Sequence, residues 1–595
     1  MAARCRAGAR PRSRQRLSVT LALLVIPAVT GRAMAQEDGQ WPMPAKNYAA
    51  TRYSALRGIT TVNVSRLRAA WSFSTGVLGG HEGQPLVVNQ TLYVVTPYPN
   101  VLYAFDLRRD GYPLKWKYRP NVSPAAIGQA CCDVINRGAF YAAGKIVYNL
   151  LDGHTVAIDA ATGAELWNTR VADVAQGETT PMAPLVVRDR VVVGVSGGEY
   201  GVRGWVKGLD LATGRVVWTA YNAGPDSEVL AGETFRPFYD RGRELAQGSW
   251  PPDGWKHGGA PVWGWLSYDP ALDLVYYGTG NPAPYNAEQR PGDNKWATSV
   301  LARAPQDGTL HWAYQFTPAD NWDYDSVQEM ILVELLIAGR TRKVLVHFDK
   351  NGFAYTIDRA SGEVLVAQPY VVVNWARRVD LRTGRPEIDS TKLTGASRGN
   401  TRNICPTLEG GKNQQPAAYS PRTGLFYVPT NNMCMDYATA RVTYIAGTPY
   451  MGVNAPYKPG PGGNLGALIA WDAAAGKRVW EIKEPYPVWS GALATGGDVV
   501  FYGTLDGWFK AADARRGRVL WKFKVGSGVV GNPITFTGAD GRQYVAVYAG
   551  FGGDPFLLAG DVRSDDPADV RPPASFMPDI ARHTSQGGIV WLFAL

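Results

Sequence analysis

Cysteine is scarce in this chain of 595 residues, five in all, and no C-x-x-C-H string occurs, so covalent c-type haem is excluded. An apolar stretch long enough to cross a bilayer is also missing. The run from residue 17 to 29 stops short of the roughly 20 residues that a spanning helix needs. Gln15 separates Arg14 from Arg16, so there is no twin-arginine export signal either. Nor does the bulk of the chain carry much net charge. Of the formal +10, seven units come from Arg4, Arg6, Arg10, Arg12, Arg14, Arg16 and Arg32, in a stretch with no acid, and +3 remains beyond it. That balance makes no case for nucleic acid as a partner.

What is present at the N-terminus reads as a secretory signal. The arginines, the apolar run and Ala33-Met34-Ala35 mark residues 1–35 as a cleavable leader, with a single domain over 36–595. Cys5 would leave with it. Cys131, Cys132, Cys405 and Cys434 remain, an even number suited to an oxidising compartment. Apolar content of 45% with 20 Trp and 67 Gly indicates a large core with many tight turns and excludes disorder.

One pattern recurs: a small residue, Asp two positions on, Thr/Ser/Ala-Gly, and Trp four residues after the Gly. It reads AIDAATGAELW at 157–167, GLDLATGRVVW at 208–218, AWDAAAGKRVW at 470–480 and AADARRGRVLW at 511–521. Weaker copies lie at 302–312 and at 356–366, where Val366 replaces the Trp; AFDLRRDGYPLKW at 104–116 carries two extra residues. Trp71 would make an eighth. Asp and Thr bond locally to turn backbone, Gly allows the turn, and Trp then covers the gap to a neighbouring sheet. Spacings of 51 residues (Trp116, Trp167, Trp218) and 41 (Trp480, Trp521) suit four-stranded blades. The expected fold is all-β, an eight-bladed β-propeller with tryptophan-docking motifs. The last nine residues, GGIVWLFAL, would pair beside N-terminal strands to close the ring. The insertions at 221–262 and 367–415 are expected as loops on one face, where ligands bind.

With CCDVINR at 131–137, these repeats resemble the PQQ-dependent methanol and alcohol dehydrogenases over essentially the whole mature chain, with most likeness to the lanthanide-dependent methanol dehydrogenase branch. The resemblance implies PQQ (pyrroloquinoline quinone) and a metal near the propeller axis. It implies a vicinal disulfide between Cys131 and Cys132 over one face of PQQ, although neighbouring Cα atoms only about 3.8 Å apart force such a bond to distort the peptide. Arg137 matches the arginine on the cofactor's carboxylates, Trp263 in WGWLSYDP the indole on its opposite face, and Glu82, Asn413 and Trp489 further contacts. Ser196, Gly197 and Gly198 fall where the family lays polar backbone against the quinone. Lys350 in HFDKNG sits where methanol enzymes commonly carry Arg, and its cation would donate to a quinone oxygen. Cys405 and Cys434 match a second, structural disulfide.

The same resemblance assigns the metal to Glu199 in SGGE, Asn281 in GTGNPAP, and Asp323 and Asp325 in DNWDYDS. All offer oxygen, which suits a hard cation. In an extended segment residues i and i+2 face one side, so Asp323 and Asp325 should converge. Asp323 matches the catalytic base and Asp325 the extra carboxylate of lanthanide-binding members; three carboxylates favour a trivalent ion over calcium, the alternative. The implied reaction is oxidation of a small primary alcohol, methanol as first guess. Asp323 takes the hydroxyl proton, hydride moves to PQQ, and electrons pass to a soluble cytochrome c in the periplasm. A homodimer without a small second subunit is implied as well.

Three positions depart from the methanol enzymes. Pro181 and Pro261 replace threonines beside PQQ, and Asp554 in GFGGDPF stands where an aromatic residue often borders the substrate. They leave open a PQQ dehydrogenase for larger alcohols or aldehydes. A non-catalytic propeller scaffold is the alternative from another class; it would have docking repeats but no reason to keep Cys-Cys, Glu199, Asn281 and D-x-D together.

Overall fold

The Asp-x-x-Thr-Gly segments are turns of the kind their chemistry dictates. Asp159 Oδ1 accepts the amides of Ala161 (3.0 Å) and Thr162 (2.8 Å) and the Thr162 hydroxyl (2.8 Å). Asp210 repeats the arrangement with Ala212 and Thr213. Each turn joins the third and fourth strands of an antiparallel sheet, and the computed structural model, which describes residues 38–559 and 576–595, contains eight such sheets among those residues. The leader expected over residues 1–35 lies outside them. The sheets occupy 86–118, 139–170, 185–221, 266–315, 331–369, 418–484, 493–524, and a last one whose chain is shared between the two ends of the sequence. There Arg68–Ser74 pairs with Ile589–Ala594, which pairs in turn with Gln543–Ala549. The C-terminal strand therefore closes the ring, as expected from GGIVWLFAL.

Tryptophans link the blades. Gly214, at φ 72°, lies under Trp167, where a β-carbon would sit 2.6 Å from the indole. The indole N–H of Trp167 donates to Leu211 O at 3.0 Å, and Trp71, Trp218, Trp312, Trp480 and Trp521 each donate to a backbone carbonyl of the next blade. At the junction where Val366 stands in for Trp, Val366 and Gln368 cover Gly476, and the Thr356 hydroxyl donates to Ala473 O at 2.9 Å. A groove of about 390 Å³ opens there, lined in part by Gln368, Trp471 and Gly476. The groove adjoins a docking position where no indole lies over the turn glycine.

The two insertions behave differently. Residues 221–262 form short helices; Trp250 and Trp255 pack in a small cluster with Ala223, Ala260 and Ala297, while Val229, Phe235 and Ala246 join the larger core. The segment 367–415 returns to the main cavity at its end, with Leu408, Glu409 and Asn413 on the wall. Cys405 and Cys434 form the disulfide that the resemblance implied, tying Thr401–Ile404 to Met433–Thr439.

Candidate active site

A cavity of about 280 Å³ gathers residues from widely separated blades. Of the residues singled out in the sequence, Cys131, Cys132, Arg137, Ser196, Glu199, Trp263, Asp325, Lys350 and Asn413 line it, together with Pro181 and Asp554. Glu82, Gly197, Gly198, Asn281, Asp323 and Trp489 are not on its wall. Glu82 stands behind Arg137 as its ion-pair partner at 2.9 Å. Trp489 is fully buried in an apolar cluster with Met433 and Phe551, its indole N–H unpaired.

One end of the cavity sets a buried guanidinium against an indole. The Arg137 guanidinium lies 4.8 Å from the Trp263 ring centroid and donates to Trp263 O at 3.1 Å, while its Nε has no partner. Burial pushes Glu82 up to about 7 despite the opposing charge of Arg137. Pro181 gives its carbonyl to the Arg137 amide at 2.9 Å, and Thr179, two residues earlier, brings a side chain to the wall. Pro261 packs its ring beside Gly198 and Gly280 and brings hydrocarbon, not a hydroxyl, to that position.

The other end is acidic around one lysine. Lys350 Nζ lies 3.1 Å from Asp323 Oδ2 and 2.6 Å from Asp325 Oδ2, and the amide of Asn281 donates to Asp325 Oδ1 at 2.6 Å. Burial would push Lys350 down, but Asp323, Asp325 and Glu409 hold its ammonium well above the usual lysine range. Burial raises the Asp323 carboxyl well above the carboxylate range, Lys350 opposing and the charges of Asp325 and Glu199 adding to it. Glu199 is pushed to about 7 by burial and by Asp325. Three buried oxygens there have no hydrogen-bond partner: Glu199 Oε2, Asn281 Oδ1 and Asp323 Oδ1. Hard oxygen donors left unpaired in a dry, acidic pocket fit a hard cation. Among the described residues no three His, Cys, Asp or Glu side chains are gathered tightly enough to be a ready-made cluster. Lys350 and the Asn281 amide hold both oxygens of Asp325.

The structure corrects two expectations. Cys131 and Cys132 are free thiols in the structure rather than the vicinal disulfide that the resemblance implied. Residues 321–330 form no strand, and Asp323 has φ 67°, so Asp323 and Asp325 do not meet through strand alternation. Instead, Asp320 accepts the amides of Trp322, Asp323 and Tyr324 and bends the chain. The sequence reading also passed over Glu409, Tyr285, Met451 and Asp133 on the wall. Glu409 accepts from Asn413 Nδ2 (3.0 Å) and Tyr457 OH (2.9 Å), and Asn413 Nδ2 also donates to Asp554 Oδ2 (2.7 Å). Its signal was available, since Glu409 lies in the same ICPTLEGGKN string as Asn413. Tyr285 and Met451 carry no motif and reach the wall only through the fold.

Residues 41–373 and 483–545 match the family described as PQQ: glucose/ethanol/alcohol dehydrogenase, beta-propeller domain. The chain belongs to the PQQ-dependent dehydrogenase family. A lanthanide-dependent methanol dehydrogenase of Methylacidiphilum fumariolicum (strain SolV) is 53% identical over 94% of this chain and 93% of that protein. Subunit 1 of the cytochrome c methanol dehydrogenase of Methylobacterium organophilum is 42% identical over 94% and 92%. Among solved structures, a europium-containing methanol dehydrogenase superposes with a TM-score of 0.90 at 52% identity, over 94% of this chain and 99% of that one. Within this quinoprotein family the propeller fold read from the docking repeats is confirmed.

Proposed function

We infer that the chain is a PQQ-dependent alcohol dehydrogenase that oxidises methanol or another small primary alcohol to the aldehyde, with a lanthanide, or alternatively calcium, as Lewis acid. The observation that carries it is the set of unpaired buried oxygens on Glu199, Asn281 and Asp323 beside Asp325 and Lys350. Glu199, Asn281, Asp323 and Asp325 would hold the ion; Arg137, Trp263, Ser196, Gly197, Gly198, Asn413, Glu82, Trp489 and the Cys131–Cys132 pair would hold PQQ. When bound, these groups supply a hydride-accepting quinone carbon and a Lewis acid.

The chain's own residues do the remaining work. Asp323 Oδ1 is free of other bonds and accepts the alcohol's hydroxyl proton. Lys350 holds Asp323 through Oδ2 and so fixes the orientation of its carboxylate. Asn413, pinned between Glu409 and Asp554, keeps its carbonyl oxygen without a partner and available to the cofactor. Burial keeps the acidic end dry, which strengthens each of these contacts.

Relatives named for cytochrome c and the leader-like N-terminus support a soluble cytochrome c as acceptor, in the periplasm; a homodimer belongs to the same reading. A non-catalytic scaffold has no use for a buried lysine between two aspartates and is not favoured. The test is reconstitution with PQQ plus lanthanum or calcium, followed by dye-linked oxidation of methanol, ethanol and longer alcohols. Activity with lanthanum above calcium is expected. No PQQ uptake with either metal would sink the assignment, and turnover confined to longer alcohols would remove methanol from it.

A further inference from the structure

We propose that Asp320 is a positioning residue for the metal-binding carboxylates, acting through the backbone of residues 322–324 and locked in place by Arg290. The inference rests on the reading of Asp323 and Asp325 as metal ligands. Asp320 is 1% exposed, and its carboxylate folds back onto its own chain. Oδ1 accepts the Trp322 amide at 3.1 Å, and Oδ2 accepts those of Asp323 and Tyr324 at 3.0 and 3.2 Å. Three successive N–H groups converging on one anion form a nest, and such a concavity requires a left-handed residue within it. Asp323, at φ 67°, is that residue. A non-glycine side chain in this region is uncommon and costs energy, and the bonds to the Asp320 carboxylate offset that cost.

The nest decides where two functional side chains point. With Asp323 turned left-handed, its carboxylate and that of Asp325 both reach Lys350 Nζ, at 3.1 and 2.6 Å. Removing the anion would leave three buried amides unpaired and free residue 323 to relax to negative φ. Arg290, 2% exposed, fixes the nest relative to the segment carrying Asn281. Its Nη2 donates to the Asp320 carbonyl, Nε to Pro284 O at 2.6 Å and Nη1 to Asn294 Oδ1 at 2.8 Å. Neither Asp320 nor Arg290 lines the cavity, so both act through other residues. Partners that orient metal ligands in this way typically change metal affinity by about 10- to 100-fold when lost.

Asp320→Asn isolates the effect, because an amide nitrogen cannot accept the two N–H bonds now made to Oδ2. Europium luminescence titration of the metal-free protein reads ion binding without any turnover; PQQ uptake by absorbance and circular dichroism run alongside. The expected result is a folded variant that takes up PQQ normally, binds europium about 10- to 100-fold more weakly, and in the loaded enzyme loses kcat with KM for alcohol little changed. Europium affinity equal to that of the parent would overturn the proposal, as would a parallel loss of PQQ uptake, which would indicate general collapse. Should Asp320→Asn not fold, Arg290→Lys carries the test: it keeps the charge, cannot hold Pro284, Asn294 and Asp320 together, and must also weaken europium binding. A parent protein that binds no europium would instead overturn the metal reading beneath the proposal.

Discussion

Asp325→Ala is the substitution that most directly separates a lanthanide site from a calcium site. Asp325 is 2% exposed and makes two short contacts, with Lys350 Nζ and with the Asn281 amide, both at 2.6 Å. Its loss leaves Asn281 N–H buried and unpaired, while Lys350 keeps Asp323 at 3.1 Å. An unsatisfied buried donor costs about 1–3 kcal/mol, so the apoprotein should be less stable by that order but folded. The effect on the ion is larger. A unit charge at about 4 Å and an effective dielectric of about 20 interacts by ~4 kcal/mol per charge on the ion. Removing it therefore costs a trivalent ion ~12 and a divalent ion ~8 kcal/mol before water fills the gap. The ~4 kcal/mol difference corresponds to about three decades of selectivity. Competition of calcium against europium, followed by luminescence, measures that ratio, and lanthanum-dependent activity should fall with it while PQQ uptake persists. An unchanged europium-to-calcium preference in the variant would refute the role given to Asp325.

Other expectations concern acid stability, the ring and the substrate end. His81 is fully buried, bonded to Thr75 Oγ1 (3.1 Å) and Gly79 O (3.0 Å), and burial pushes it down to about 4. The unfolded chain binds a proton below about 6.5 that the folded one refuses until about 4. Stability should thus fall by at most about 3 kcal/mol as pH drops through that window; denaturant midpoints at pH 7 and 4.5 should show this component missing in His81→Gln, and an equally steep acid loss there would exclude His81 as its source. Trp218→Ala removes an indole that is 8% exposed and bonded to Pro305 O at 3.1 Å, and should cost about 3–5 kcal/mol in thermal or denaturant unfolding. Val366→Trp should gain stability by filling the groove beside Gly476, with a lowered melting temperature signalling overpacking by Gln368 instead. Asp554→Ala enlarges the cavity next to Asn413, so kcat/KM for butanol relative to methanol should rise by about tenfold; an unchanged ratio would place the specificity elsewhere.

The parts of this protein legible in the sequence are those with local physics. A docking repeat is a turn followed by a strand, and Asp159, Thr162 and Gly163 make their bonds within a few residues of one another. Such a unit cannot bury its tryptophan alone, so repetition implies a stacked ring, and the closing strand Ile589–Ala594 follows from the need to cover an edge. The resemblance added residue identities, and nine of the residues it marked do meet at one cavity.

Tertiary structure decided how those residues are oriented and charged. Alternation along an extended strand was the wrong reason for Asp323 and Asp325 to converge, because the bend at φ 67° depends on three amides closing on Asp320. Tyr285 and Met451 became cavity residues only when separate segments were brought together. The raised affinity of Asp323 and Glu199 for protons likewise comes from burial and from the acids folded around them, Asp325 acting on both and Glu199 on Asp323. Sequence alone determined the repeat, the ring and the list of chemical groups, since each depends on neighbours along the chain. Only folding settled which oxygens stay unpaired, because that depends on contacts between separate segments, such as Lys350 with Asp323 and Asp325 and the Asn281 amide with Asp325.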